Sequence, residues 1–179
     1  MRKITVSIPE DDMVACFYDF KDKAASIKRA GFANLIKFLR TKTNFFETNV
    51  SFRDKEGGLV EAALITAQEL LHSCCCEYSD ETLMVVSLFY LVGLVQDVKF
   101  LNGTGACSVY VIEQFMPLTP EEAAAIRYFE EPQKTECRLA KELYAAYMRT
   151  KYADVSLFDT QEAWVDEVLS GKNTLDTAA

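Results

Sequence analysis

The chain has 179 residues, of which 50% are hydrophobic and 26% charged, a composition typical of a globular protein that buries one core. Its 27 acidic and 19 basic residues leave a net charge of -8, which disfavours broad attraction to nucleic acid or to an anionic membrane. The only histidine, His72, excludes any site built on two or more imidazoles.

The cysteines and the apolar segments indicate the compartment. Three of the six cysteines are consecutive, and no basic segment followed by an apolar one opens the chain, so we expect reduced thiols and a cytoplasmic protein. The longest apolar run, residues 83–95, is interrupted only by Ser87 and Gly93. It is shorter than the roughly 20 residues that cross a bilayer, so we expect a buried helix and no membrane partner.

The N terminus predicts the only strand of the chain. Ile4, Val6 and Ile8 alternate with polar residues within residues 1–10, the period of a half-buried strand. A lone strand leaves backbone groups unpaired, so we expect a homodimer in which two copies pair antiparallel. An arm lying along its own bundle is the alternative.

The same segment is similar to the start of ribbon-helix-helix DNA-binding proteins. In that arrangement Arg2, Lys3, Thr5 and Ser7 would face the DNA bases. The similarity covers about ten residues and the net charge opposes it, so nucleic acid is not the expected partner.

Helical periodicity follows. Residues 11–25 and 31–40 each have one apolar face, the second formed by Leu35, Ile36 and Leu39, and residues 41–58 form a surface loop. From Leu59 a helix buries residues at steps of three and four, namely Leu59, Ala63, Thr66, Leu70 and Cys74. Ser79 or Asp80 caps the next helix, whose residues 83–95 are apolar all round and form the centre of the bundle.

The second half is helical too. The segment NGTGAC is a loop before a helix at residues 108–115. Thr119 is the N-cap and Pro120 the first turn of a helix that reaches Phe129, with Glu121 and Glu122 near its positive end. Helices at residues 135–152 and 159–169 complete the chain. We expect a strand and helix in 1–26, a helical core in 27–152 and an acidic helix and tail in 153–179.

Several segments resemble a bacterial and phage branch of the histidine–aspartate (HD) phosphohydrolases. They are IKRAGFANLIKFL with the pair Phe45-Phe46, GGLVEAAL, VVSLFYLVGLV and SVYVIEQFMPLTPEEAAAIRYF. The family has stretches similar to GGLxEHSL, LLHDLxK and GxGxxS leading to FMPLTxEEAxAIRxH. This resemblance implies an all-α, HD-domain-like helical bundle that cleaves phosphate esters with divalent metal.

The residues at the family's metal-binding positions do not match. The resemblance places Ala62 at the first histidine, Tyr90 and Leu91 at the His-Asp doublet, Thr104 and Phe129 at the later histidines, Leu94 at the lysine and Ala146 at the late aspartate. Divalent metals need several N or O donors within about 2.0–2.6 Å, which most of these side chains lack. The resemblance therefore implies a pseudoenzyme with no catalytic residue, no metal and no cofactor.

Two interpretations of the replaced site remain open. In the first, its aromatic residues fill the space as core. In the second, they line a pocket that binds a nucleotide or phosphorylated small molecule, and the protein sequesters such a ligand. The ligand-binding candidates are Tyr90, Thr104, Arg127, Tyr128, Phe129, Arg53 and Lys99, with Lys55 beside them.

Other patterns allow further hypotheses. His72, Cys75 and Cys76 share one helical side, which permits a zinc site, although buried cysteine usually behaves as a small hydrophobe. The C-terminal helix around Trp164 either packs on the bundle or docks to a partner. For function, the sequence favours a non-catalytic binding module, with a structural or protein-interaction subunit and a non-HD enzyme as alternatives.

Overall fold

The computed structural model describes residues 18–53, 57–74, 77–95 and 101–152. These residues form helices without a β-ladder, and the single bridge between Val50 and Arg53 is the only extended pairing among them. The helices are α1 (described from 18 to 24), α2 (Phe32–Lys42), α3 (Gly58–Cys74), α4 (Asp80–Phe89), α5 (Thr104–Glu113), α6 (Pro120–Arg127) and α7 (Arg138–Tyr152). Two 3-10 turns occupy Val92–Val95 and Pro132–Lys134. The all-α prediction is confirmed.

The bundle is organised around α3. This helix packs against both α4 and α7, while α6 joins α5 to α7. One continuous apolar cluster extends from Phe20 on α1 to Ala146 on α7. Residues 18–24 therefore share their core with the segment that follows.

The apolar faces predicted for α2 and α3 are the buried ones. Leu35 and Leu39 of α2 are buried, and Ile36 is partly buried against the same core. All five predicted inward residues of α3 are buried, from Leu59 to Cys74. The 3.6-residue period is sufficient to identify these faces.

The segment after α2 is less superficial than expected. It was predicted to run over the surface, yet Phe45 is fully buried and its ring meets those of Phe20 and Phe46 edge to face. Its apolar contact with α1 holds this loop against the bundle.

The predicted central helix is wrong in its second half. α4 begins after the N-cap Ser79, as expected, but ends at Phe89 and is followed by the turn Val92–Val95, where Leu94 is 48% exposed. A Cβ atom on Gly93 would lie 2.2 Å from the Thr104 carbonyl oxygen, so the turn can approach α5 only at a glycine. The Ser108 hydroxyl donates to the Tyr90 carbonyl (2.6 Å) and accepts from the Gly93 N–H (2.8 Å).

Three other helix ends differ from prediction. α5 begins at Thr104 rather than at residue 108, directly after Gly103, whose φ is +89°. α6 has the predicted N-cap, Thr119, but ends at Arg127, before Phe129. α7 begins at Arg138 because the preceding Pro132–Lys134 forms its own turn.

Some predictions fall on residues that the structure does not describe. These are the strand at residues 1–10 with its dimer, the DNA-facing residues, Lys55, Lys99, Cys75, Cys76 and the helix at 159–169. No helix within the described ranges has the length and apolar character needed to cross a bilayer.

Candidate functional site

Five elements converge on Tyr90, which directly follows α4. Its ring lies 4.8 Å from that of Phe129, which follows α6, and 5.9 Å from that of Tyr147 on α7. Its hydroxyl contacts Thr66 of α3, one turn after Ala62, and its carbonyl accepts from Ser108 of α5. The structure thus brings α3, α5, α6 and α7 together around the side chain that follows α4.

The space between these elements holds aromatic side chains. Tyr90 is 0% and Phe129 1% exposed, and the rings of Tyr90, Phe129 and Tyr147 meet edge to face in all three pairs. Such pairs add to the free energy of burying the rings. Ala62 and Ala146 are also fully buried. Their methyl side chains carry no polar atom.

Hydroxyl groups form a directed chain beside these rings. The Thr150 hydroxyl donates its proton to the Ala146 carbonyl (2.9 Å). In its 3.0 Å hydrogen bond with the Thr66 hydroxyl, the Thr150 oxygen is therefore the acceptor and Thr66 is the donor. Thr66 has one hydroxyl proton, and its contact with the Tyr90 hydroxyl at 3.0 Å therefore has Tyr90 as the donor. Each buried hydroxyl in this chain has its donor satisfied.

Burial fixes the protonation of the two tyrosines. Burial raises the pKa of the Tyr90 phenol far above its usual value, although the hydrogen bond to Thr66 opposes the shift. Burial, together with the nearby carboxylate of Glu130, raises the pKa of Tyr147 to about 12. Both phenols are therefore neutral near pH 7.

Three of the other candidates belong to the start of α5 and the end of α6. A Cβ atom on Gly105 would lie 2.2 Å from the Ile126 carbonyl oxygen, so the start of α5 touches the end of α6. Thr104 precedes Gly105 in α5, and Arg127 and Tyr128 follow Ile126 at the end of α6. Thr104 and Tyr128 are half-buried, and Arg127 is exposed.

Arg53 lies on another side of the aromatic cluster. It is half-buried, and its Nη2 atom donates to the Thr150 carbonyl at 3.5 Å, a long contact. Its neighbour Phe52 packs on Tyr147 with 5.7 Å between ring centroids. Arg53 therefore contacts the C-terminal end of α7.

A carboxylate occupies the start of α5. The carboxyl group of Glu130 lies near the Thr104 backbone N–H at the start of α5. Partial burial raises the pKa of Glu130, and the neighbouring charge of Glu131 raises it further. A phosphate approaching this helix terminus would have to displace that carboxylate.

Metal-ligating groups do not converge in the described part of the chain. No group of three or more His, Cys, Asp or Glu side chains could hold an ion there. His72, the histidine of the zinc hypothesis, is exposed on α3, and its two proposed cysteine partners fall on undescribed residues.

Arg29 and Glu122 form a buried ion pair that the sequence pattern does not predict. Glu122, expected only to face the dipole of α6, is 0% exposed, and its two carboxylate oxygens accept from Nη1 and Nη2 of Arg29 at 2.5 Å each. It also accepts from the Thr119 N–H (2.9 Å), completing a capping box. The pattern T-x-x-E predicts the capping box, but nothing local identifies a partner 93 residues away.

Arg29 also lies near a carboxylate at the start of α4. Arg29 Nε lies 3.6 Å from Glu81, whose other oxygen accepts from the Lys28 N–H at 2.6 Å. Burial would raise the pKa of Glu122, but the hydrogen bonds from Arg29 and Thr119 outweigh it and hold the pKa below its usual value. The segment before α2 is thereby tied to the starts of α4 and α6.

Comparison of the chain with protein-family models, with curated proteins and with solved structures found no match.

Proposed function

We propose that this protein is a non-catalytic, HD-like helical module that acts through its surface on a protein partner, as a structural or regulatory subunit. The observation that carries the proposal is the complete burial of Tyr90 between Phe129, Tyr147 and Thr66. A side chain with its ring covered and its hydroxyl paired has no free group to offer a ligand. This favours the interpretation in which the aromatic residues are core.

The chemistry at the HD-like positions supports the same proposal. Hydrolysis of a phosphate ester by such a site depends on a metal that lowers the pKa of water and holds the phosphoryl oxygens. Ala62, Leu91 and Ala146 carry no donor atom in their side chains, and Phe129 carries none either. The neutral Tyr90 phenol already donates its proton to Thr66.

Nucleotide binding is the second candidate, and one observation favours it. Arg127 is exposed at the end of α6, which meets the start of α5 at Gly105, and Thr104 and Tyr128 flank this meeting point in sequence. An arginine can hold a phosphate and an aromatic ring can stack on a base. The carboxylate of Glu130 at the start of α5 weakens this candidate, because it repels anions.

Calorimetric titration of the full chain with mono- and dinucleotides tests the two candidates. We expect no saturable binding, and no difference between the protein and Arg127→Ala. A dissociation constant in the micromolar range that weakens about tenfold or more in Arg127→Ala, but not in the control Lys134→Ala, would favour nucleotide binding instead. Lys134 is a suitable control because it is exposed and pairs with the exposed carboxylate of Glu131.

A second measurement tests the absence of hydrolysis. The protein is incubated with phosphomonoesters and phosphodiesters and with manganese, iron, nickel or zinc, and released phosphate or product is measured. We expect no turnover above that of the metal and substrate without protein. Metal-dependent turnover with a stoichiometric ion found by elemental analysis would contradict the proposal.

A further inference from the structure

α7 has a second row of regularly spaced residues on the side that points away from the core. Its buried row, at steps of four, three and four, is Leu139, Leu143, Ala146 and Thr150. The second row, at steps of three, four and three, is Lys141, Tyr144, Met148 and Lys151. With 3.6 residues per turn, the mean directions of the two rows differ by about 150°. We name the second row, together with Tyr152, the outer face of α7.

The outer face has the composition of a packing surface. Tyr144, Met148 and Tyr152 give it aromatic and apolar area, and each of these side chains is half-buried. The Lys151 ammonium lies 5.5 Å from the centroid of the Tyr152 ring, a cation–π contact at the end of the helix. A helix that packs on one side only normally presents a polar opposite side. The second apolar row therefore indicates a second packing partner for α7.

The chain that follows α7 has a matching pattern. Its apolar residues occur in pairs at steps of seven and four, namely Leu157 with Phe158, Trp164 with Val165, and Val168 with Leu169. Its charge is complementary as well. α7 contains four basic residues and one acidic residue, whereas residues 153–179 contain six acidic residues and one basic residue. Lys141 and Lys151 form no ion pair with a described residue, so both charges are available to such a partner.

We propose that residues 159–169 pack antiparallel on the outer face of α7 in their own chain, as the second half of a helical hairpin. The connection between the two, residues 153–158, has a length that is usual between antiparallel helices. At 1.5 Å per residue, a helix over residues 159–169 is about 16 Å long, which reaches from Tyr152 back to Lys141. A protein partner that uses this face must displace the segment.

The hairpin brings Met148 and Trp164 opposite each other. Met148 lies four residues before the end of α7, and Trp164 lies five residues after the start of the predicted helix. Trp164 is the only tryptophan, so Trp164→Leu removes the one indole ring of the chain. NMR spectra of the full chain with isotope-labelled methionine methyl groups then report whether that ring lies over Met148. Met148→Leu identifies the Met148 signal.

We expect Trp164→Leu to shift the Met148 methyl signal, because the ring current of the indole no longer acts on it. The signals of Met84 and Met116, which are 2% and 0% exposed, are the controls. They should keep their positions, which also verifies that the variant is folded. An unchanged Met148 signal would place the segment elsewhere and overturn the proposal.

Charge reversal on α7 gives a second test. Acrylamide quenching of Trp164 fluorescence should increase about twofold or more in Lys141→Glu/Lys151→Glu, because the acidic segment is then repelled. The control Lys21→Glu/Lys37→Glu reverses two exposed lysines on α1 and α2 and should leave quenching unchanged. Circular dichroism verifies that both variants are folded. Equal quenching in the two variants would contradict the proposed contact.

A mixing experiment distinguishes the own chain from a second copy. Labelled Trp164→Leu is unfolded and refolded together with an excess of the unlabelled, unaltered chain. The Met148 signal should stay at its shifted position if each segment packs on its own α7. Its return to the original position would show that the segment of a second copy covers this face, which would overturn packing within one chain.

Discussion

The Phe129 side chain tests whether the aromatic cluster is core. It is 1% exposed and meets the rings of Tyr90 and Tyr147. Phe129→Ala should lower the free energy of unfolding by about 3–5 kcal/mol, the cost of removing a buried aromatic ring. Urea titration measures the change, with Leu94→Ala as the control, because Leu94 is 48% exposed. A cost below about 1 kcal/mol would mean that Phe129 is not core.

The direction of the hydrogen bond from Tyr90 to Thr66 predicts different stability costs for removing its donor and for removing its acceptor. Tyr90→Phe removes a donor and leaves Thr66 with an unused lone pair, which should cost about 1 kcal/mol. Thr66→Val leaves the buried Tyr90 hydroxyl with no acceptor, which should cost about 1–3 kcal/mol.

The double variant Thr66→Val/Tyr90→Phe removes both groups together. The double variant should therefore lose less free energy of unfolding than the two single variants lose together, because no buried donor remains unsatisfied. Chemical denaturation of all four proteins measures this cycle. Additive costs, or a larger cost for Tyr90→Phe, would contradict the assigned direction.

At the level of elements, the ion pair of Arg29 and Glu122 joins the segment before α2 to α6. Glu122→Gln should destabilise the protein by about 3 kcal/mol near pH 7, because it leaves a largely buried guanidinium with only the more distant carboxylate of Glu81. Glu131→Gln is the matched control: its pair with Lys134 is exposed, so its removal should cost less than about 1 kcal/mol. Equal effects in thermal or urea unfolding would mean that the buried pair contributes no more than a surface pair.

The same carboxylate predicts how stability depends on pH. Its pKa is lower in the folded than in the unfolded protein, so the folded state binds fewer protons in acid. The stabilisation is complete above the unfolded value of about 4.3 and is lost as the pH falls through the lowered folded value. Unfolding curves between pH 3 and pH 6 should therefore show a smaller acid loss in Glu122→Gln. An identical acid loss would exclude Glu122 as its source.

The elements also show what a sequence pattern can and cannot predict. The faces of α2 and α3 follow from local apolar spacing, and the N-caps Ser79 and Thr119 follow from local chemistry. The end of α4 depends on Gly93 meeting the Thr104 carbonyl, a contact between residues distant in sequence. The apolar pattern of the sequence continues through Val95, so it does not predict that contact or the end of the helix.

The candidate site has the same limit. The resemblance identified Tyr90 and Phe129 as replacements, and the structure places them 4.8 Å apart between their centroids. Whether two aromatic rings fill a space or line it depends on the volume around them, which spacing along the chain does not encode. Tyr90 is buried against Thr66 and Tyr147. Neither of these two partners was among the predicted site residues.

For the whole molecule, the remaining prediction is self-association through residues 1–10. The alternation of Ile4, Val6 and Ile8 predicts a strand in a chain whose described residues form no β-ladder. A second copy is the simplest partner, because antiparallel pairing about a two-fold axis satisfies the backbone groups and buries one apolar face.

Light scattering of the intact chain should therefore give a dimer. Val6→Pro should give a monomer, since proline removes a ladder donor, whereas Val6→Thr, which keeps a β-branched side chain and the N–H, should remain dimeric. A chain lacking residues 1–9 should be monomeric as well. A monomeric intact protein, or a dimer that survives both Val6→Pro and the deletion, would refute pairing through this strand.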